Sequence, residues 1–352
     1  MGGVGRKLLW ASLVLSPATL LLRYAFHAGD VTLFAVAAAA LVPLAWLIGE
    51  ATEHAADHTG PGIGGFLNAS FGNAPELIIA LFAIGQGLPN VVRASLAGSV
   101  VSNLLLVLGI ALYLGARHTH ELDRRSLLGQ LALVAVATLV FLVPAVPGWS
   151  GNPERHSLAV ATAPVAVLLL LLYLAVTAWG LRRHKRLHEE SGAGPGSGWS
   201  LPTSLVVLAV ATAVTALVSE ILVHSLGAFA DAAGLSEFFT AAVIVAIVGN
   251  AAEHGGAAVI AHRGDVRLAS EIAVSSSAQV ALLVTGAVAL LSWVVKPALP
   301  LTFRPVELAA VGGSALAVAL LLWDGRARRW EGALLIGLYA VAAIGFAFAG
   351  DR

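Results

Sequence analysis

Two short runs place acid and amide side chains where a membrane-spanning chain seldom tolerates them: Gly72-Asn73-Ala74-Pro75-Glu76 and Gly249-Asn250-Ala251-Ala252-Glu253-His254. Each lies inside an apolar stretch long enough to cross a bilayer. A carboxylate at that depth costs at least ~2.5 kcal/mol, so a functional role is its default reading. Glutamate and asparagine offer hard oxygen donors, and a cation such as Ca²⁺ takes six to eight oxygens in tolerant geometry. Glu76 and Glu253 together neutralise one divalent cation and are the metal-binding candidates, while Asn73 and Asn250 add carbonyl oxygens without adding charge. Pro75 has no N–H, so the Phe71 carbonyl should lose its helical partner and join main-chain oxygens around Gly72 and Gly249, where unwinding is expected.

The elements that must carry these residues are read from composition and hydropathy. Hydrophobic residues make up 58% of the 352, charged residues 11%, and the mean hydropathy is +0.88, which is the composition of a polytopic membrane protein. A formal net charge of zero gives no reason to expect nucleic acid, and zero cysteines exclude thiolate chemistry and disulfides. Apolar runs bounded by charge, Gly or Pro predict eleven helices: 8–26, 31–57, 62–86, 89–115, 126–147, 157–181, 201–231, 235–262, 265–294, 302–323 and 330–350. The joints at 85–89 and 263–265 require very tight turns. Alternate sides of this arrangement carry 14 and 6 Lys/Arg, which places the N-terminus in the cytoplasm and the C-terminus outside a plasma (inner) membrane.

An internal repeat organises the chain. At a constant offset of 177, residues 72–109 and 249–286 share 11 identities in 38 positions. They include Gly72/Gly249, Asn73/Asn250, Glu76/Glu253 and Ser99/Ser276. The copies begin five spans apart, an odd number, so they cross the membrane in opposite senses, as in secondary transporters with midplane sites. The expected fold is therefore an all-α membrane protein with two inverted five-helix repeats, helices 2–6 and 7–11, and an extra N-terminal helix. The divisions are 1–30 for the extra helix, 31–181 and 201–352 for the repeats, and 182–200 for a basic, then Gly/Ser-rich cytoplasmic linker.

Further residues support or rival that site. Ser95, Ser99 and Ser102 share a helix face, as do Ser276 and Gln279, and Ser102 is equivalent to Gln279. Ser99, Ser102, Ser276 and Gln279 are read as site residues, and Ser95 and Ser275 as packing residues. His254 either carries protons or is a neutral helix-interface histidine. Glu50, Glu53 and Glu220 are candidate gate carboxylates, and the Glu50/His54/His58 spacing would also suit a metal stripe. A channel would hold a divalent ion too firmly between paired acids, and an intramembrane metalloenzyme lacks an H-E-x-x-H motif and leaves the duplication unexplained.

The stretches FGNAPELIIALFAIGQG…VVRASLAGSVVSNLLLVLG and VGNAAEHGGAAVIAHRGD…ASEIAVSSSAQVALLV resemble the paired signatures of the cation/proton exchanger branch of the calcium:cation antiporter superfamily. The resemblance covers most of the chain. It implies eleven helices, Ca²⁺/H⁺ antiport by alternating access, and a central site where Glu76 and Glu253 bind cation or protons in competition. It also implies that Asn73, Asn250, Ser99, Ser276 and Gln279 are ligands or their supports, and that His254 is the histidine following the second motif glutamate. Ca²⁺ is then a transported substrate and no cofactor is implied; the partners are Ca²⁺, H⁺ and the bilayer, with a homo-oligomer open. Exchange of Mn²⁺ or monovalent cations, or coupling to Na⁺, is the alternative on the same scaffold. Many members carry an acid-rich stretch between the halves, whereas this chain has only Glu189 and Glu190 beside a basic run.

Overall fold

The computed structural model describes residues 3–116, 120–188 and 198–351. Among them, seven helices are long and apolar enough to cross a membrane, and a bent pair makes an eighth. In chain order the elements are α1 (Gly3–Ser12), α2 (Leu15–Tyr24), α3 (Asp30–Gly72), α4 (Ala74–Gly85), α5 (Pro89–Val101), α6 (Leu108–Gly115), α7 (Arg124–Gly148), α8 (His156–His188), α9 (Leu201–Ala233), α10 (Glu237–Phe239), α11 (Ala246–Gly249), α12 (Ala251–His262), α13 (Val266–Gln279), α14 (Thr285–Val295), α15 (Pro305–Leu321) and α16 (Arg329–Ala349). Three π-helical turns, Ser102–Val107, Thr240–Val245 and Val280–Val284, join α5 to α6, α10 to α11 and α13 to α14. Two short strands, β1 (His120–Glu121) and β2 (Arg326–Ala327), pair antiparallel and tie the loop before α7 to the loop before α16.

Three sequence expectations are corrected here. The first helix, expected over 8–26, is two ten-residue helices. The helices expected over 31–57 and 62–86 are instead α3, which continues as one helix through Gly72, and α4. A straight helix of 43 residues would be about 65 Å long, twice the hydrocarbon thickness. Yet Phe71 packs on the cluster formed by Ile48 and Ala51 of the same helix with Leu208 and Ala211 of α9. Residues 48 and 71 would stand about 35 Å apart on a straight axis, so α3 is not straight, and its internal Pro43 and Pro61, which cannot donate to the helical ladder, allow it to bend. Finally, α8 extends to His188, so the first residues of the expected linker are helical, while 189–197 lie outside the described residues.

The tight joints are as expected. Gly87 and Gly264, equivalent under the repeat, close α4 and α12 at φ of +73° and +97°, a region where side chains with a Cβ are strained. Packing between the halves is reciprocal. Gly109 of α6 lies against Gly332 and Ile336 of α16, where an added Cβ would come within 2.9–3.1 Å. Its equivalent, Gly286 of α14, lies against Ala166 and Leu170 of α8, with an added Cβ at 3.0 Å. Each repeat thus seats its third helix on the last helix of the other. At the centre lies α5, buried at every position from Val91 to Val101, the polar Arg93, Ser95 and Ser99 included.

Candidate functional site

Each of the two signature runs breaks a helix at a single residue. Asn73 stands between α3 and α4 at φ −96°, ψ 15°, and Asn250 between α11 and α12 at φ −91°, ψ 16°. Both lie in the sparsely populated bridge region, and at Asn250 the axes on either side differ by 58°. The expected unwinding is therefore confined to one residue, and the Phe71 carbonyl accepts the Asn73 N–H. Pro75 fits without cost because it sits in the first turn of α4, where an N–H has no helical partner. The same geometry puts Glu76 and Glu253 in the first turns of α4 and α12, at the positive end of each helix dipole.

The two breaks face each other. A Cβ on Gly249 would lie 3.4 Å from Glu76 Cγ and 3.5 Å from its Oε1, and one on Gly72 would lie 3.8 Å from Glu253 Oε1. Each glutamate therefore occupies the space left by the glycine of the opposite half. Glu76 is 6% exposed, and neither of its carboxylate oxygens has a hydrogen-bond partner among the described residues. Glu253 Oε2 is likewise buried without one. Carboxylate oxygens removed from water need compensation, which a metal ion or a proton can supply. A small cavity beside them is lined by Glu76, Ser95, Ser99 and Gly249.

A layer of amides and hydroxyls holds the breaks in register. Asn73 Nδ2 donates to Gln279 Oε1 (2.8 Å), and Asn250 Nδ2 donates to Ser99 Oγ (2.8 Å) and to the Ala246 carbonyl (2.9 Å). Asn103 Nδ2 donates to Asn250 Oδ1 (3.0 Å) and to Ser276 Oγ (3.2 Å). The polar helix of each repeat thus grips the break of the other. Asn103 is the residue that sequence reasoning missed, although it stands one turn beyond Ser99 within an apolar run. Ser95, read as packing, lines the cavity while donating to the Val92 carbonyl. Ser102, read as a site residue, instead donates to the Ser99 carbonyl of its own helix. His254 is partly buried, with Nε2 unpartnered among the described residues.

The outlying candidates do not join this cluster as a metal stripe. Glu50 is paired with Arg6 at 2.6 Å, His58 Nε2 lies 2.8 Å from the Trp199 carbonyl, and His54 lies 3.8 Å from Glu50. Among the described residues no three His, Asp or Glu side chains converge to hold a metal. Glu53 and Glu220 are exposed.

Comparison with known proteins places these features in context. The family model described as sodium/calcium exchanger protein matches residues 30–181 and 203–348. A Ca(2+)/H(+) antiporter of Aphanothece halophytica is 35% identical over 347 residues, covering 93% of each chain. The Ca(2+)/H(+) antiporter ChaA of Bacillus subtilis (strain 168) is 37% identical over 333 residues, covering 91% of this chain and 93% of its own. The solved structure of native YfkE superimposes with a TM-score of 0.81 at 34% identity, covering 97% of this chain and 99% of that one.

Proposed function

The chain belongs to the sodium/calcium exchanger protein family, and from that premise we propose how its own residues carry out the exchange. It is an all-α, multi-pass membrane transporter with inverted repeats, and it exchanges Ca²⁺ for H⁺. Glu76 and Glu253 form one site that holds either a Ca²⁺ ion or protons. The carrying observation is the crossed seating of Glu76 on Gly249 and Glu253 on Gly72, with both Glu76 oxygens unpartnered among the described residues. Two acids that meet out of water resist being charged together, so the site without Ca²⁺ holds protons, and Ca²⁺ displaces them. Both loaded forms are close to neutral, so both can cross the barrier between outward and inward access, whereas the bare dianion is held back by its desolvation cost.

Asn73, Asn250, Ser99, Ser276, Gln279 and Asn103 position the acids, because most of their polar atoms are already committed to one another. Gly72 and Gly249 leave room for the carboxylates. Glu53 and Glu220 serve as gate carboxylates, while Glu50 is held by Arg6. The N-terminus lies in the cytoplasm and the C-terminus outside, in the plasma membrane, from the 14-to-6 bias of Lys and Arg.

The test is ⁴⁵Ca²⁺ uptake into proteoliposomes under an imposed pH gradient, with wild type, Glu76→Gln and Glu253→Gln. Uptake by the wild type should follow the pH gradient and ignore a Na⁺ gradient, and each variant should lose it. Normal uptake by either variant removes that glutamate from the site.

A further inference from the structure

The face of the protein carrying the β1–β2 ribbon gathers six arginines that do not share the same fate. Arg267 pairs with Asp123 (3.2 Å) and Glu271 (3.3 Å), and Arg328 pairs with Glu331 (2.7 Å) and with Asp324. Arg124, Arg125, Arg326 and Arg329 are exposed and enter no ion pair among the described residues. Two of them are held by aromatic rings instead. Arg124 Cζ lies 4.5 Å above the Trp323 ring, and Arg329 Cζ lies 4.4 Å above Tyr113. A guanidinium stacked on a ring keeps all five of its N–H donors available in the plane, so stacking fixes direction without consuming hydrogen-bonding capacity.

The ribbon brings these groups together. The Leu122 N–H donates to the Gly325 carbonyl at 2.8 Å, and the stem of Arg124 packs over Gly325, where an added Cβ would lie 3.3 Å from Arg124 Cβ. Arg326 is the next residue and sits opposite Glu121 in the strand pair. Below the guanidinium of Arg124 the surface turns apolar. Leu316 and Leu320 lie one turn apart on α15, Trp323 follows in the turn just beyond its last residue Leu321, and the three are 61%, 67% and 60% exposed. The site is therefore amphipathic, with oriented cations at the level of an aromatic residue and an aliphatic track leading away from them. Free phosphate would satisfy only the first feature, whereas an anionic phospholipid satisfies both.

We propose that Arg124 and Arg326, backed by Arg125 and Arg329, bind the headgroup phosphate of an anionic phospholipid whose acyl chain lies along Leu316 and Leu320. The lipid spans the ribbon that joins the loop before α7 to the loop before α16, and so fastens the first half to the second at the membrane surface. This inference is independent of the ion site. The test uses the full-length protein in detergent and follows bound lipid by native mass spectrometry, with palmitoyl-oleoyl phosphatidylglycerol, the matching phosphatidylcholine, and inorganic phosphate as separate additions. Phosphatidylglycerol should bind and raise the unfolding temperature, and the other two should not. Arg124→Gln with Arg326→Gln should weaken that binding about 25-fold, about fivefold per arginine. Arg125→Gln with Arg329→Gln should weaken it by a similar factor, which covers the case in which the first pair fails to fold. Arg23→Gln with Arg155→Gln, outside the ribbon, should leave it unchanged. Equal binding of phosphatidylcholine, full protection by phosphate alone, or undiminished binding by the folded variants overturns the proposal.

Discussion

The half-site around Glu76 and the half-site around Glu253 share a backbone plan but not an environment. Asn73 and Asn250 break their helices at dihedral angles within 5° of each other, and each acid sits on the other's glycine. Glu76 is nevertheless buried, whereas Glu253 is partly exposed. Behind Asn250 the chain arrives through a turn at Gly234 (φ +67°) and a π-helical turn, while behind Asn73 it arrives on the uninterrupted α3. Asn103 has Val280 as its equivalent, Gly98 has Ser275, and Leu77 has His254. Duplication thus fixes where the two acids meet, and later divergence decides which of them is sealed. A symmetric site would favour neither access state, and unequal surroundings let one carboxylate be reached before the other.

Paired substitutions can break or sharpen this comparison. The largest effect is expected at the acids themselves, where symmetry holds: Glu76→Gln and Glu253→Gln should each cut Ca²⁺ uptake at least about a hundredfold, since either leaves a divalent ion undercompensated out of water. Next comes Gly98, where a Cβ would lie 1.9 Å from the Ala242 carbonyl in the π-helical turn before Asn250. Gly98→Ala should destabilise the fold by about 1–3 kcal/mol or more, read as a lowered unfolding temperature in detergent, while Ser275→Gly at the equivalent place should be nearly silent. Asn103→Val makes the first half resemble the second and leaves Asn250 Oδ1 without that donor, costing about 1–3 kcal/mol. It should raise the KM for Ca²⁺ by about tenfold or more with a smaller change in maximal rate. His254→Leu makes the second half resemble the first and should change uptake by less than about fivefold, with its main effect on the pH profile. An equal effect of Gly98→Ala and Ser275→Gly would show that the halves are closer to equivalent than their packing suggests.

Much of this was legible in the sequence, for physical reasons. Acids and amides inside apolar runs are costly, so their recurrence at a fixed spacing marks the helix breaks at Asn73 and Asn250 and, with them, the proposed site. The αL glycines Gly87 and Gly264 were readable as tight joints because so few residues separate one apolar run from the next. The boundary expected between the second and third helices differs from the structure because Gly60-Pro61-Gly62 has the composition of a loop, yet α3 runs on through it. The π-helical turns left no local sign, since one extra residue per turn in an apolar helix changes register and not composition. Asn103 could have been found by asking which polar residue in the run after Ser99 had no stated partner. Ser102 misled because helical periodicity gives a residue's face but not whether its hydroxyl turns back to the main chain.

The glycine seams between α6 and α16 and between α14 and α8 have one more consequence. Neither half covers its own groove, so a half made as a separate polypeptide would meet lipid with an unfilled furrow. Two such polypeptides, residues 1–190 and 198–352, should accumulate in cells only when co-produced, each acting as the other's missing wall, and a stable solitary half would refute that mutual dependence. An ancestor of half this length would have needed to insert in both directions and pair with its own mirror-oriented copy.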